Sequence, residues 1–263
     1  MGVVIKSNIT SGCDFCSQMS QYASMYSISK KTGMDIAFRE MDLYHNYGYH
    51  LDKCFNHIPK ILANYINVKP LPKSEMFGNL DQNLIYDITD DISLYTNYHE
   101  YEEELKDLYT FREEILNFSK NFIEQNLADD EESVSIHFRR GDYLQYSSLN
   151  LSLDYYKAAV DLMKEKTEGK KLKFFIFSNG IEWVEENFKL DNCVYVKGLD
   201  RFHDLCIMSL CDHNIIANSS FSYWGAYLNR NLNKIVICPY NYTNGHGFDG
   251  EYFPTNWNSI KIN

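Results

Sequence analysis

Positive charge and an imidazole converge in the segment His137-Phe-Arg-Arg-Gly-Asp142, which closes an apolar run beginning at Val134. Arginine keeps its charge at any physiological pH and offers a fork of N–H donors matched to phosphate oxygens. Arg139 and Arg140, placed where a buried strand ends and the chain turns, are therefore suited to grip a diphosphate and to offset charge gathering on it as it leaves. Gly141 permits a close turn, and Asp142 is placed to orient one of the arginines. Two plainer readings compete: a surface turn braced by an Arg–Asp pair, and an Arg140-Gly-Asp142 adhesion tripeptide, which would need an exported protein.

Asn218-Ser-Ser220 forms a second cluster, lying between a short apolar run and the start of a helical pattern. Backbone donors and hydroxyls at a helix amino terminus make an anion pocket, although Ser or Asn there also serves as an ordinary cap. Asp204 stands at the start of another helical segment, where its carboxylate either meets the N–H edge of a guanine or caps the helix. No Asp-x-Asp pair occurs in the chain. Many nucleotide-sugar transferases hold a divalent ion with such a pair, and a site without one must neutralise the leaving group with protein cations.

The elements that would carry these residues alternate regularly in the second half. The patterning predicts strands at 134–138, 173–178, 194–196, 213–217 and 234–237, with helices between them. Ser152 is the expected cap of the first helix and Gly169 its end. Strand–helix repeats of this kind imply a parallel sheet covered by helices, and such sheets bind ligands beyond the carboxyl ends of their strands. In the first half, strands at 3–6 and 36–38 flank a helix at 17–31, while residues 42–80 are weakly patterned. A charged stretch at 98–125, with Leu105, Leu108, Ile115 and Phe118 on one face, reads as a single helix joining the halves, with the boundary near residue 128.

Composition narrows the functional classes. The chain has 263 residues and a formal net charge of −11, which repels a phosphate backbone and argues against a nucleic-acid partner. No apolar run reaches the roughly 20 residues of a membrane span, so no integral membrane segment is expected. The first six residues read as an opening strand rather than a secretory leader, which predicts a cytoplasmic protein. Seven scattered cysteines suit reduced thiols. The pair Cys13-x-x-Cys16 raises a thiol-redox or zinc alternative, but no second pair supplies the four ligands zinc requires.

Three segments in this order, His137-Phe-Arg-Arg-Gly-Asp-Tyr143, Phe174-Phe-Ile-Phe-Ser-Asn-Gly-Ile-Glu-Trp183 and Asn218-Ser-Ser-Phe-Ser-Tyr-Trp-Gly-Ala226, resemble the three motifs of the α-1,2-fucosyltransferase family. Ser17-Gln-Met-Ser-Gln-Tyr-Ala23 is similar to that family's amino-terminal Asn-Gln-Met segment, and Tyr252-Phe-Pro-Thr-Asn-Trp257 to its closing Tyr-Pro-x-x-Trp. The resemblance implies an α/β protein of two Rossmann-like domains facing a cleft, the B fold of glycosyltransferases. Residues 1–128 would lie on the acceptor side and 129–263 would hold the nucleotide sugar. It further implies inverting, metal-independent transfer of L-fucose from GDP-fucose to a galactoside hydroxyl, with no cofactor beyond the donor. By matching position, Arg139 would bind the β-phosphate and act in catalysis, with Arg140 beside it. His137 and Asp204 would lie near the guanosine, Asn218, Ser219 and Ser220 near phosphate, and Ser17 and Gln18 in the amino-terminal motif. The chain departs from the family at Asn179-Gly180, where two aspartates are usual, and at Gly12-Cys-Asp-Phe-Cys-Ser17, where a Gly-rich turn is usual. The first departure leaves a catalytically lapsed nucleotide or glycan binder as the alternative.

Overall fold

Strands buried on both faces need helical cover, and the chain supplies it by alternating the two throughout its second half. The computed structural model describes residues 2–6, 14–39, 49–58, 62–63, 67–145, 149–240 and 252–261. The chain divides into two compact units, Met1–Arg112 and Glu113–Asn263.

The first unit contains β1 (Val3–Lys6), α1 (Phe15–Thr32), β2 (Asp35–Arg39), α2 (Leu51–Cys54), β3 (Leu62–Ala63), β4 (Lys69–Pro70), β5 (Ile85–Ile88) and α3 (Glu102–Leu108). Its parallel sheet has the order β3-β2-β1-β5-β4. Asp14 caps α1 by accepting from the Ser17 N–H at 2.9 Å, and Gly33 ends the helix in the left-handed region at φ 70°.

The second unit runs α4 (Glu113–Asn126), β6 (Glu131–Phe138), α5 (Leu153–Lys166), β7 (Lys171–Ser178), α6 (Ile181–Asn187), β8 (Cys193–Tyr195), α7 (Arg201–Leu210), β9 (His213–Ile215), α8 (Ser220–Leu228), β10 (Val236–Pro239) and β11 (Asn258–Ile260). All six strands are parallel, in the order β11-β10-β9-β6-β7-β8. The chain builds outward from β6 to β8, crosses back along α7, and builds outward again from β9. The direction of winding therefore reverses between β6 and β9, at the kind of switch point where open α/β sheets leave a crevice for ligands.

Strand β6 has two unlike faces. Val134, Ile136 and Phe138 pack into the core with Tyr155, Tyr156 and Met163 of α5. Ser133, Ser135 and His137 alternate with them and are also buried. The Ser133 hydroxyl donates to the Asp212 carboxylate at 2.7 Å, and Ser135 Oγ accepts from Asn214 Nδ2 at 2.8 Å. This polar stripe thus leads along the strand toward His137.

Several sequence expectations are corrected. The stretch at 98–125 is two helices, α3 and α4, because tertiary bonds take over the backbone between them. There the Tyr109 hydroxyl donates to Met19 O at 2.6 Å, Asn56 N donates to Thr110 O, and Arg112 N to Cys54 O. Helix α4 packs on α7 within the second unit, so it does not lie before a boundary at 128. Ser152 does cap α5, but Thr167 rather than Gly169 ends it, its hydroxyl donating to Met163 O at 2.8 Å. The final strand is β11, beyond the expected one at 234–237.

Helices α7 and α8 meet where Gly225 faces Met208. A Cβ on Gly225 would lie 2.8 Å from Met208 Cβ, too close for any side chain at that position. Gly225→Ala is expected to destabilise the protein by about 1–3 kcal/mol through overpacking. Chemical denaturation checks this, and an unchanged midpoint would show that the two helices separate freely.

Candidate functional site

The carboxyl ends of β6, β7 and β9 bring three segments to one edge of the second sheet: Arg139 to Tyr143, Asn179 and Gly180, and Asn218 to Ser220. The neighbouring strands are in register up to Ile136↔Ile215 on one side and Phe138↔Ser178 on the other. Beyond those pairs the backbones part.

His137 is the last residue of the polar stripe and is 4% exposed. Its ring meets Phe221 edge-on at 5.4 Å, and its Nδ1 has no hydrogen-bond partner among the described residues. Burial, reinforced by the Arg139 charge, pushes its pKa down to about 3. The imidazole is therefore neutral at physiological pH and keeps one ring nitrogen able to accept a hydrogen bond.

Arg139 and Arg140 are adjacent in the chain but go to different neighbours. The Arg139 guanidinium lies over the Tyr143 ring at 4.9 Å, and the Tyr143 hydroxyl donates to Asn218 O at 3.3 Å, which ties the β6 turn to the β9 loop. Arg140 lies over the Trp183 indole of α6 at 3.2 Å, on the β7 side, and desolvation there lowers its pKa. Of the two, Arg139 accompanies the β6–β9 switch point. The Asp142 side chain lies outside the described residues.

Asn218 is 3% exposed; its Nδ2 donates to Leu149 O at 2.9 Å, and its Oδ1 is buried with no partner among the described residues. Ser219 caps α8 by accepting from the Phe221 N–H, and Ser220 opens the helix. The segment is held firmly, since Ser222 Oγ accepts from Ala217 N at 3.1 Å and the Tyr155 hydroxyl donates to Ile216 O at 2.6 Å. The closing aromatic segment braces the same helix: Tyr223 meets Trp257 at 5.5 Å and Phe253 at 6.3 Å.

Asp204 is not the cap of α7. Asp200 takes that part, accepting from Phe202 N and His203 N at 2.8 and 3.0 Å. Asp204 sits in the first turn with Oδ1 buried and unpartnered among the described residues. Burial, then the Asp200 charge, push its carboxyl up to about 7.

Ser17 and Gln18 belong to the first unit, in the first turn of α1. Gln18 is fully buried and its Oε1 accepts from His50 N at 3.0 Å, a bond internal to that unit. Cys13 lies outside the described residues, as does the Gly12 turn; Cys16 is a buried free thiol of α1. Burial pushes the Cys206 and Cys238 thiols up to about 12, which makes them packing groups. Among the described residues no group of three or more His, Cys, Asp or Glu is placed to hold a metal ion, and no helix is long and apolar enough to cross a membrane. Sequence reasoning gave no role to Tyr143 or Trp183. Both lie inside the segments 137–143 and 174–183 that carry the family resemblance, next to or within reach of the arginines they support.

The model of Glycosyl transferase family 11 matches residues 5–261. Among curated proteins the chain is 32% identical over 143 residues to the O-antigen biosynthesis glycosyltransferase WbnK of Escherichia coli, covering 50% of this chain and 47% of that protein. It is 38% identical over 117 residues to an alpha-1,2-colitosyltransferase of Escherichia coli, covering 41% of this chain and 40% of the relative. It is 26% identical over 149 residues to galactoside alpha-(1,2)-fucosyltransferase 1 of Saimiri boliviensis boliviensis, covering 51% and 40%. The matches thus span less than half the length of these relatives. The fold is that of NodZ alpha-1,6-fucosyltransferase, solved after soaking with GDP-fucose, with a TM-score of 0.59, 12% identity and coverage of 86% of this chain and 92% of that one.

The Asp204 carboxyl yields a stability test. Because its folded pKa is raised from 3.8 to about 7, the folded state holds a proton that the unfolded chain releases, and stability falls as pH rises through that window. Asp204→Asn is expected to raise the apparent melting midpoint of the ligand-free protein by roughly 2–4 °C or more at pH 8 and to leave it unchanged near pH 4. Equal midpoints at pH 8 would mean that the carboxylate is already solvated.

Proposed function

Because the chain belongs to glycosyl transferase family 11, we propose that it transfers L-fucose from GDP-fucose to a galactoside hydroxyl, forming an α-1,2 linkage without a metal ion. The observation that carries this reading is the set of buried polar atoms without partners among the described residues on the carboxyl edge of the second sheet, His137 Nδ1, Asn218 Oδ1 and Asp204 Oδ1, with the Arg139 charge beside the first. Such atoms are costly unless a ligand completes them. A nucleoside diphosphate has the matching groups: N–H donors on the base, hydroxyls on the ribose, and phosphate oxygens for Arg139 and the α8 amino terminus. The galactoside and fucosyl parts of the proposal draw on the names of the matched relatives.

In this mechanism the acceptor hydroxyl attacks the anomeric carbon as the bond to the β-phosphate oxygen breaks, in one displacement that inverts the β-linked donor to an α-product, with GDP as the leaving group and the hydroxyl proton released to solvent. Charge builds on the leaving diphosphate. Arg139 stabilises it, with Ser219 and Ser220 donating from the facing loop while Asn218 Oδ1 accepts from a hydroxyl of the donor, and preorganised donors of this kind contribute most when water is excluded. His137, held neutral, orients the nucleoside without adding charge, and the Asp204 carboxylate takes the N–H edge of the guanine. The second unit is the donor-binding part and the first serves the acceptor. A colitosyl nucleotide is a second donor reading, carried by the 38% identical colitosyltransferase.

The test is incubation with GDP-fucose or a colitosyl donor and a panel of galactosides in EDTA, with products analysed by mass. Fucosylated product is expected in EDTA, and Arg139→Ala is expected to lower transfer by about 10²–10³-fold. Full activity of that variant, or turnover that requires magnesium, would overturn the reading. Guanine recognition by an ionised Asp204 also ties binding to proton release. From pH 6 to pH 8 GDP affinity should rise by about tenfold more in the wild-type protein than in Asp204→Asn, which carries only the titration of the ligand's own phosphate. Calorimetry reads this directly, and a wild-type affinity that falls over the same range would rule out the carboxylate's part.

A further inference from the structure

The pair Asn179-Gly180, where acidic residues stood as the expectation, lies against the arginine turn. The β6–β7 ladder ends at Phe138↔Ser178. One residue further, Asn179 Oδ1 accepts from the Arg140 backbone N–H at 2.9 Å. A side chain thereby adds a rung to the ladder at the point where the two backbones separate. The same amide fills the space beside Gly141. That glycine has φ 51°, in the left-handed region, and a Cβ on it would come within 2.2 Å of Asn179 Nδ2. Asn179 therefore seats both the residue after Arg139 and the glycine that turns the chain.

The other half of the contact involves the Arg140 side chain. Its Cβ, Cδ and Nε run along Gly180 at 3.4–3.6 Å from where a Cβ would stand, and its guanidinium comes to rest 3.2 Å over Trp183. The loop itself is tied, since Gly180 N donates to Ser178 Oγ at 3.0 Å. Arg140 is thus fixed at its backbone by Asn179 and at its tip by Trp183, both on the β7 side. Arg139, one residue earlier, goes to Tyr143 and the β9 side.

We propose that Asn179 and Trp183 are positioning residues that lock Arg140 as an anchor, and that this lock sets the direction of Arg139 toward the diphosphate. The substitution of amide for carboxylate keeps the acceptor oxygen that the Arg140 N–H needs, so the Asn179-Gly180 pair is compatible with a working enzyme rather than a lapsed one. The proposal rests on the reading that Arg139 binds the leaving group.

The experiment compares Asn179→Ala, Asn179→Asp, Trp183→Leu, Trp183→Phe and Arg139→Ala in the full chain, measuring kcat, KM for GDP-fucose, GDP affinity by calorimetry and thermal midpoint. A misplaced catalytic group costs up to about 10²-fold in rate. Asn179→Ala and Trp183→Leu are expected to lose about 10–100-fold in kcat with the folded state retained. Asn179→Asp, which keeps the acceptor oxygen, and Trp183→Phe, which keeps a ring under the guanidinium, should recover most of that loss. Wild-type kcat in Asn179→Ala while Arg139→Ala is inactive would overturn the lock and leave the site reading intact. Activity retained by Arg139→Ala would instead remove the reading on which the lock rests. A fall in kcat in Asn179→Ala matched by an equal fall in Asn179→Asp would also count against it, because the accepting oxygen would then not matter. If Asn179→Ala does not fold, GDP affinity and kcat of the folded Trp183 pair decide alone, with equal values in Leu and Phe overturning the proposal.

Discussion

A polar atom buried without a partner costs roughly 1–3 kcal/mol, and the carboxyl edge of the second sheet holds His137 Nδ1, Asn218 Oδ1 and Asp204 Oδ1 without partners among the described residues. Earlier along the same strand such groups are satisfied. Ser133 and Ser135, on the face of β6 that carries His137, are bonded to Asp212 and Asn214. The polar stripe is completed within the protein until it reaches the edge, and there it stops. In the proposed reading, a ligand with its own donors and acceptors continues it.

Charge is arranged around the same edge. The chain carries a net −11, so a polyanion would be repelled by most of its surface, and binding a diphosphate depends on a local cation held in place. Burial keeps His137 neutral, and Arg139 goes to the β9 side with Tyr143 bridging to Asn218 O. The Arg140 guanidinium stacks on Trp183 and its N–H is held by Asn179, so the two adjacent arginines go to different sides of the turn, and in the proposed reading they divide into an anchor and a ligand-facing group.

Much of this was legible in the sequence because its physical causes are local. The alternation in β6, the Ser152 cap and the strand–helix repeats follow from periodicity and capping chemistry, and they place residues 137–140 and 218–220 on one edge. Where the reading went astray, distant bonds decided. The periodic face at 98–125 promised one helix, but Tyr109, Arg112 and the Phe55 region bond across the first unit and break it. At Asp204 the sequence left a guanine contact and a helix cap both open, and the cap falls to a near neighbour instead: Asp200 takes the free N–H groups and leaves Asp204 Oδ1 buried without a bond among the described residues. The divergence of Arg139 and Arg140 could not be read from two identical neighbours, because it depends on Trp183 and Tyr143 lying on opposite sides of the turn.

The most direct measurement is a crystal structure of this chain with GDP bound. The β-phosphate is expected between the Arg139 guanidinium and residues 218–220, with His137 Nδ1 and Asp204 Oδ1 bonded to the nucleoside and Arg140 still stacked on Trp183. A nucleotide seated elsewhere, with those atoms unpartnered and Arg139 turned from the phosphates, would contradict the account.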